Sequence, residues 1–573
     1  MISRRTLDSW IFSILAALAV VLAWWGLGEK FPELREWRYL PERIVKSIQF
    51  FASGATSPPD HAQPLTLAVA RVLGVIVSLW AVGKVVAHVF AEHIQEFRIG
   101  LLHRHSVIAG EPSFARPLIA DHRANRRQIV LADPNPANIF PSNLDRKRPL
   151  SVKGDPALAT TLFESGIRRA SALFLLFNDD QKNIDVAVSA WDSARKTRSG
   201  TLNCFLHIGD RRLTEILEHR NFFMNERFRL RFFNLAELTV RNLLTTHPIE
   251  DHPDYSPDRV DLVIHVIIFG LGQMGESLVI QIAKLAHFGN RKPTKVTIVD
   301  RNCDRCKERL LNRYPQLPGI LDLNFVSFDA ALGNVENLKV LRKEASDVKV
   351  VFVAFDHDSR CLDTALEIQQ AYPDRFAKIY VRKSTGGGVA RLMELREAEL
   401  RRPMFQFFGA LDDVCTLEMI ERGQLDSMAR ALHNVYFRKS DQEGASSEDR
   451  LPRVGWEELP EELKESNRRQ ADHIAVKVRQ IGCHLKRGMP DPSFRFSPEE
   501  IEKLAEIEHR RWMADRKLSG WTYGPTRDSK LKHHPMLVEW EYLPEAEREK
   551  DREFIREIPA ILQRAGFAIS RST

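Results

Sequence analysis

Cysteine is scarce in this chain, with six in 573 residues, at Cys204, Cys303, Cys306, Cys361, Cys415 and Cys483. So few, so irregularly spaced, exclude a disulfide framework and fit a reducing compartment. A strong surplus of one charge is missing too. Lys and Arg number 83 against 76 Asp and Glu, a net of +7, and the signs are interspersed with no basic arm, so charge gives no indication of nucleic-acid binding. Long hydrophobic runs are confined to the first ninety residues. The 44% hydrophobic and 28% charged composition is otherwise that of globular protein, so any membrane part is small. What is present is length, enough for roughly three to four folding units of about 150 residues.

Trp10 to Gly28 reads WIFSILAALAVVLAWWGLG, an uncharged run close to the ~20 residues that span a hydrocarbon core. The basic start at Arg4 and Arg5 also fits a signal peptide, but the tryptophan-rich end has no small-residue cleavage site. A second apolar segment, Leu65 to Phe90, carries Arg71 and Lys84, placed near an end or against another helix. Two spans return the chain to its starting side and predict a multi-pass protein of the inner (plasma) membrane with its soluble part in the cytoplasm. Between them lies PERIVKSIQFFASGATSPP, where a two-helix potassium channel places its pore helix and filter. Ser53 and Gly54 are the pore candidates. Filters of backbone carbonyls commonly use two glycines, and Gly54 stands alone, so an interfacial amphipathic or re-entrant segment is the competing reading.

The clearest soluble motif is HVIIFGLGQMG, residues 265–275, followed by SLVIQIAKLAHF and the strand-like KVTIVD ending at Asp300. A buried strand, a glycine turn at Gly270, Gly272 and Gly275, a helix start and an acidic residue closing the second strand is the arrangement that binds a dinucleotide. The helix start offers unpaired N–H groups to a pyrophosphate. Further runs at NFVSFD (324–329), VKVVFVAF (348–355) and KIYVR (378–382) alternate with amphipathic stretches and predict a parallel sheet. The same order occurs upstream, from HSVIAG (105–110) through QIVLAD (128–133) to ALFLLF (172–177), an internal duplication of fold. There the loop reads Gly110-Glu111-Pro112-Ser113-Phe114-Ala115, with one glycine and a carboxylate where a phosphate would lie.

Both copies, over roughly residues 101 to 410, resemble the RCK or TrkA-N regulatory domains attached to potassium channels and transporters. The resemblance implies a nicotinamide dinucleotide or adenine nucleotide (NAD or a relative) over Gly270, Gly272 and Gly275. Asp300 would hold the ribose, and binding would shift a gate. Two other features lie beside this frame. Cys303-Asp-Arg-Cys306 has metal-like spacing but no second pair nearby, and Asp356-His357-Asp358 follows a strand on the side where such folds bind ligands.

After a polar stretch, SDQEGASSEDR (440–450), helical patterns resume. LAEIEHRRW (504–512), LSGWTYGP (518–525), His534-Pro535 and Leu543-Pro544-Glu545 resemble the RyR domain, first known as a repeat in ryanodine receptors. An earlier helix, MARALHNVY (428–436), shares its Ala, His and aromatic spacing on one face. His509, Trp512, Trp521 and Tyr523 are either core aromatics with a satisfied imidazole or a small-molecule pocket in which a ring stacks on a base.

The fold expected is therefore α/β. Residues 1–100 form a two-helix transmembrane region, 101–255 and 256–410 two tandem Rossmann-like doubly wound domains, and 424–573 a mainly α RyR-like domain. The function expected is nucleotide sensing in the potassium-channel and ion-transport regulatory class, with the membrane, a nucleotide and potassium as partners. Oligomerisation to a tetramer or larger is expected because one two-helix subunit cannot enclose a pore. The other reading is a non-conducting membrane effector or receptor of a nucleotide signal. Neither a catalytic constellation nor a metal site is found, so no enzyme is expected.

Overall fold

The computed structural model describes residues 4–36, 39–52, 64–139, 149–197, 200–219, 227–330, 332–342, 344, 346–373, 376, 378–384, 405–442, 454–488, 491 and 493–571. The chain divides into two units, Met1–Leu101 and Leu102–Thr573. Ser53 and Gly54 lie outside the described residues.

The first unit holds α1 (Arg4–Lys30), α2 (Leu40–Ala52), α3 (Leu65–Val89) and α4 (Ala91–Gly100). Two of its helices, over Phe12–Lys30 and Leu65–Val86, are long and apolar enough to cross a membrane. Small side chains let α1 and α3 approach closely. Ala19, Ala23, Ala70 and Leu67 are buried, and a Cβ on Gly26 would sit 2.9 Å from Leu67 Cδ1. Trp10, Val21, Trp25, Val72, Leu79 and Val82 point outward. Lys84 rests its ammonium 5.2 Å from the Trp80 ring centre, so the charge predicted near a helix end is met by an aromatic face.

In the second unit the first sheet is built from β1 (Ser106–Gly110), β2 (Ile129–Asp133), β3 (Leu150–Lys153), β4 (Ala172–Leu176), β5 (Leu202–His207) and β6 (Phe228–Phe233). Helices α5 (Pro112–Ala124), α6 (Pro136–Ile139), α7 (Ala159–Glu164), α8 (Asp180–Thr197), α9 (Arg211–His219) and α10 (Leu235–Thr246) connect and follow them. The strands are all parallel, in the order β3-β2-β1-β4-β5-β6. The second sheet contains β7 (Val263–Phe269), β8 (Lys295–Asp300), β9 (Asp322–Ser327), β10 (Asp347–Val353), β11 (Ile379–Arg382) and β12 (Phe405–Phe408), with α11 (Gln273–Leu285), α12 (Cys303–Arg313) and α13 (Asp358–Ala371) among them. Its order, β9-β8-β7-β10-β11-β12, is the same 3-2-1-4-5-6 arrangement, the doubly wound Rossmann order. Strands covered on both faces must be apolar throughout, and VIHVIIF accordingly is buried from Ile264 to Phe269.

The segment after β12 forms two short helices, α14 (Leu411–Val414) and α15 (Leu417–Ile420), which fold back on the first domain. Leu417 N donates to Asp121 at 2.7 Å. Then come α16 (Ser427–Gln442), α17 (Glu461–Arg479), β13 (Cys483–Arg487), α18 (Pro498–Leu518), the two-residue strands β14 (Thr522–Tyr523) and β15 (His533–His534), α19 (Glu545–Arg564) and β16 (Phe567–Arg571). A single hydrophobic core joins Ala429 and Leu432 of α16 to Ile474, Leu504, Ile555 and Leu562. α18 starts with a capping box, Ser497 accepting from Glu500 N and Glu500 accepting in return, with Pro498 at the first helical position.

The three globular parts share an apolar core that includes Val240, Leu278, Val476 and Ala514, and charge ties them further. Arg241 on α10 donates to Asp472 of α17 at 2.6 Å and to Asp426 at 2.6 Å. Arg479 donates to Glu250 at 2.7 Å, and Lys284 on α11 to Glu465 at 2.9 Å. Midway along α18, Glu508 lies between Lys477 and Arg511, all nearly inaccessible. Burial alone would raise the Glu508 carboxyl, yet Arg511 and Lys477 hold it down to about 2.

Replacing Arg241 by Ala leaves buried Asp472 without its cation, while Asp426 keeps Arg468; breaking a buried pair costs about 3–5 kcal/mol, and the melting temperature of the purified chain is expected to fall by several degrees. A second expectation concerns pH. His122 and His265 are buried, and burial lowers each to about 4 from an ordinary 6.5. The unfolded chain therefore binds protons first as pH falls. Stability is full above 6.5 and is lost between 6.5 and 4, by up to about 3 kcal/mol per histidine. His265→Gln should flatten that part of the melting-temperature profile, and an unchanged profile would contradict the assignment.

Candidate functional site

The site is built where the order of the second sheet reverses, between the carboxyl ends of β7 and β10. β7 runs into Gly270 at φ +89°, a conformation that favours glycine. The first turn of α11 then presses on the loop so closely that a Cβ on Gly275 would lie 2.0 Å from Gly270 O. Gly272 caps α11 in extended backbone. The free N–H groups of that helix end and its positive dipole face the crevice.

Asp300, closing β8, turns back onto the loop. Its Oδ2 accepts from Leu271 N at 2.9 Å and its Oδ1 from Asn302 N at 2.9 Å. Arg309 donates to Leu271 O at 2.5 Å. All four residues expected from the sequence, Gly270, Gly272, Gly275 and Asp300, are thus brought together. Arg382 and Asp356 complete the rim. Arg382 Nη1 donates to Asp356 Oδ1 at 2.9 Å and to Phe355 O at 2.9 Å, and a Cβ on Gly272 would stand 3.1 Å from the same Asp356 oxygen. A cradle without side chains, lined by N–H groups, fits a pyrophosphate. The Asp356 carboxylate opposes one, and its pairing with Arg382 reduces that opposition.

The first copy offers no such cradle. A Cβ on Gly110 would lie 2.6 Å from backbone atoms of Leu176. Pro112 opens α5 and removes an N–H. Glu111 accepts from Asn178 N at 3.3 Å, and Asp133 accepts from Asn135 N at 2.7 Å in its own turn. Instead this domain presents its β5 end to the second. Gln273 lies 2.9 Å from where a Gly209 Cβ would be, and Arg313 bridges Glu276 at 2.7 Å and Asp210 at 3.1 Å.

From its loop end, α11 runs under the C-terminal helices. Beyond it, Arg510 donates to Phe288 O at 2.6 Å, and Gln480 Oε1 accepts from Gly289 N at 3.0 Å and from the Tyr255 hydroxyl at 2.8 Å. These partners were not legible as functional residues, since glutamine and arginine on a polar helix look solvated.

In the RyR-like part, His509 is buried, its Nε2 2.8 Å from Val538 O, and its ring lies 5.7 Å from Trp512. Trp512 and Trp521 converge on His534, at 5.0 and 6.0 Å between ring centres. Arg516 stands 5.7 and 5.4 Å from the two tryptophan rings. Burial, then Arg527 and Arg516, lower the His534 imidazole, which marks this aromatic patch as cationic in surroundings. Tyr523 is exposed.

The remaining candidates have structural partners. Asp358 accepts from Ser384 N and Oγ, both at 2.9 Å. Cys303 and Cys306 lie on the inner face of α12, and burial pushes the Cys303 thiol up to about 11. Among the described residues no cluster of three or more potential metal ligands occurs.

Residues 498–571 match the RyR domain family. Solved structures with similar chains include GsuK bound to ADP, 16% identical at a TM-score of 0.37, covering 71% of this chain and 94% of that one. The GsuK channel bound to NAD is 14% identical at 0.39, covering 74% and 84%. The GsuK RCK domain is 13% identical at 0.37, covering 58% and 79%.

Gly275→Ala must force α11 away from Gly270. An overpacked contact of this kind costs about 1–3 kcal/mol or more, and it should lower the thermal stability of the second domain while Gly319→Ala, which meets nothing within 4 Å, leaves it unchanged.

Proposed function

We propose that this chain is a membrane-anchored nucleotide sensor of the potassium-channel and ion-transport regulatory class. The observation that carries the reading is the cradle at Gly270, Gly272 and Gly275, closed by Asp300 at the head of α11. The loop backbone and the α11 N-terminus would hold the pyrophosphate of NAD or of an adenine nucleotide, and Asp300 would take the ribose hydroxyls. The nucleotide would serve as an effector, with no chemistry asked of it.

A ligand shifts an equilibrium only by its differential affinity for two states. α11 supports such a difference because its first turn meets the ligand and its far end meets α17 and α18 through Lys284, Phe288 and Gly289. The helices over Phe12–Lys30 and Leu65–Val86 would carry the response in the plasma membrane, with the soluble domains in the cytoplasm and several subunits needed to surround a pore. The aromatic patch of Trp512, Trp521 and His534 gives the RyR domain a surface on which a second ligand could bias the same equilibrium. A non-conducting effector is the second reading, favoured by the lone Gly54 between the spans.

Full-length protein in detergent is expected to melt several degrees higher with NAD or ADP. A ligand at 100 times its Kd adds about 2.7 kcal/mol. Gly272→Glu, which sets a second carboxylate beside Asp356, should abolish the shift; no shift with any adenine nucleotide would refute the sensor. Reconstituted in liposomes, a channel passes potassium in a nucleotide-dependent way, whereas an effector binds nucleotide and passes none.

A further inference from the structure

A cleft of about 190 Å3 opens where the first Rossmann domain, α11, the α15 turn and the RyR-like helices meet. It lies along β6, the edge strand of the first sheet, three strands from the β1 that carries the degenerate loop. Among the described residues, seven basic side chains line it against six carboxylates. Glu421 is held by Arg127 and Arg469 by Asp515, both partners outside the lining, so the excess facing the cavity stays at one basic group.

That excess is concentrated at one point. Glu457 stands between Arg231 of β6 at 2.5 Å and Arg430 of α16 at 2.7 Å. Arg430 and Arg468 both also lie over the Trp456 ring, 5.4 and 5.8 Å from its centre, and the Arg231 guanidinium lies 5.7 Å from the Phe205 ring centre. Guanidinium groups stacked on aromatic rings keep their hydrogen-bonding edges turned outward in a fixed plane, which suits bidentate contact with phosphate. Burial would raise the Glu457 carboxyl, but Arg430 and Arg231 bring it below its ordinary value, so a single negative charge serves two fixed cations. By contrast Arg241, deeper in the same wall, is matched by two carboxylates, Asp426 and Asp472, and has a structural part; Arg468 shares Asp426 with it at 2.9 Å and stands at the border between the two.

We infer that the Arg231, Arg430 and Arg468 wall of this cavity is a second ligand site, distinct from the glycine loop, for an oligophosphate. The phosphates take the place that Glu457 fills between Arg231 and Arg430. Because Arg231 belongs to the first domain and Arg430 and Arg468 to the C-terminal helices, an occupant cross-links the two. This gives the first Rossmann copy a binding role that its own loop does not support.

The probes are inorganic tripolyphosphate and ATP, titrated by calorimetry into full-length protein carrying Gly272→Glu to remove the loop site. Saturable binding is expected, with amides of residues 228–233 and 456–469 protected from hydrogen exchange. Neutralising both guanidinium groups in R231Q/R430Q should weaken it at least tenfold. Glu457→Gln provides the opposite arm: it frees both guanidinium groups, so binding is expected to tighten severalfold. If the ions only hold the domains together, E457Q loosens the protein and binding is unchanged or weaker, and the site is refuted. Absence of saturable binding by either probe to the E457Q protein refutes it as well. Equal affinity for both probes identifies an inorganic or headgroup-like oligophosphate, and tighter binding of ATP identifies a nucleotide; each supports the site.

Discussion

The contact on which the rest depends is the one between Gly275 and the carbonyl of Gly270. A helix can rest directly on the end of its own strand only where a side chain is missing, and the space for a Cβ there is 2.0 Å. That closeness sets the direction of α11, aims its free N–H groups over the loop, and lets Asp300 reach Leu271 N. It also fixes where the far end of α11 emerges, and so where Arg510 and Gln480 must meet Phe288 and Gly289. One missing methyl group thereby positions both the candidate nucleotide cradle and the RyR-like domain.

Around that rigid element the domains share an apolar core, from Val240 and Leu243 of α10 through Leu278 of α11 to Val476 and Ala514 of the C-terminal helices, and are held by charge as well. Arg241 with Asp426 and Asp472, Arg479 with Glu250, and Lys284 with Glu465 are partly or wholly withdrawn from water. Such pairs add little net stability over apolar packing, but each is costly to break singly. They define the register between domains sharply, and they make that register responsive to any ligand that supplies or removes charge.

Much of the fold was legible because its physics is local. Parallel strands covered on both faces are near-continuous apolar runs, and KVTIVD or VKVVFVAF between amphipathic helices can be little else. The intact and the degenerate glycine loops were told apart by the missing glycines and by Glu111, whereas the part of Pro112, which opens α5 without an N–H, came from the structure. What was not legible is nonlocal. α17, EELKESNRRQADHIAVKVR, has the look of a solvated helix, yet Asp472 meets Arg241 from 231 residues away and Lys477 is wholly buried. Helical spacing placed His509 with Trp512 on one face. It could not show that the imidazole is taken by Val538 O or that Trp512 and Trp521 share His534 and Arg516. The pore candidates Ser53 and Gly54 fall outside the described residues.

The two sheets repeat one strand order, but only the second kept a loop that closes on a bare helix end. In the first, Pro112 and Glu111 fill that place, while Gly209 and Asp210, past the carboxyl end of β5, are pressed against the first turn of α11. A thirteen-residue helix is about 20 Å long. Held at its head by a neighbour's loop and at its tail by another domain's side chains, it behaves as a beam with two bearings. A tilt of a few degrees at the head displaces the tail by more than an ångström, comparable to the tolerance of the hydrogen bonds that receive it.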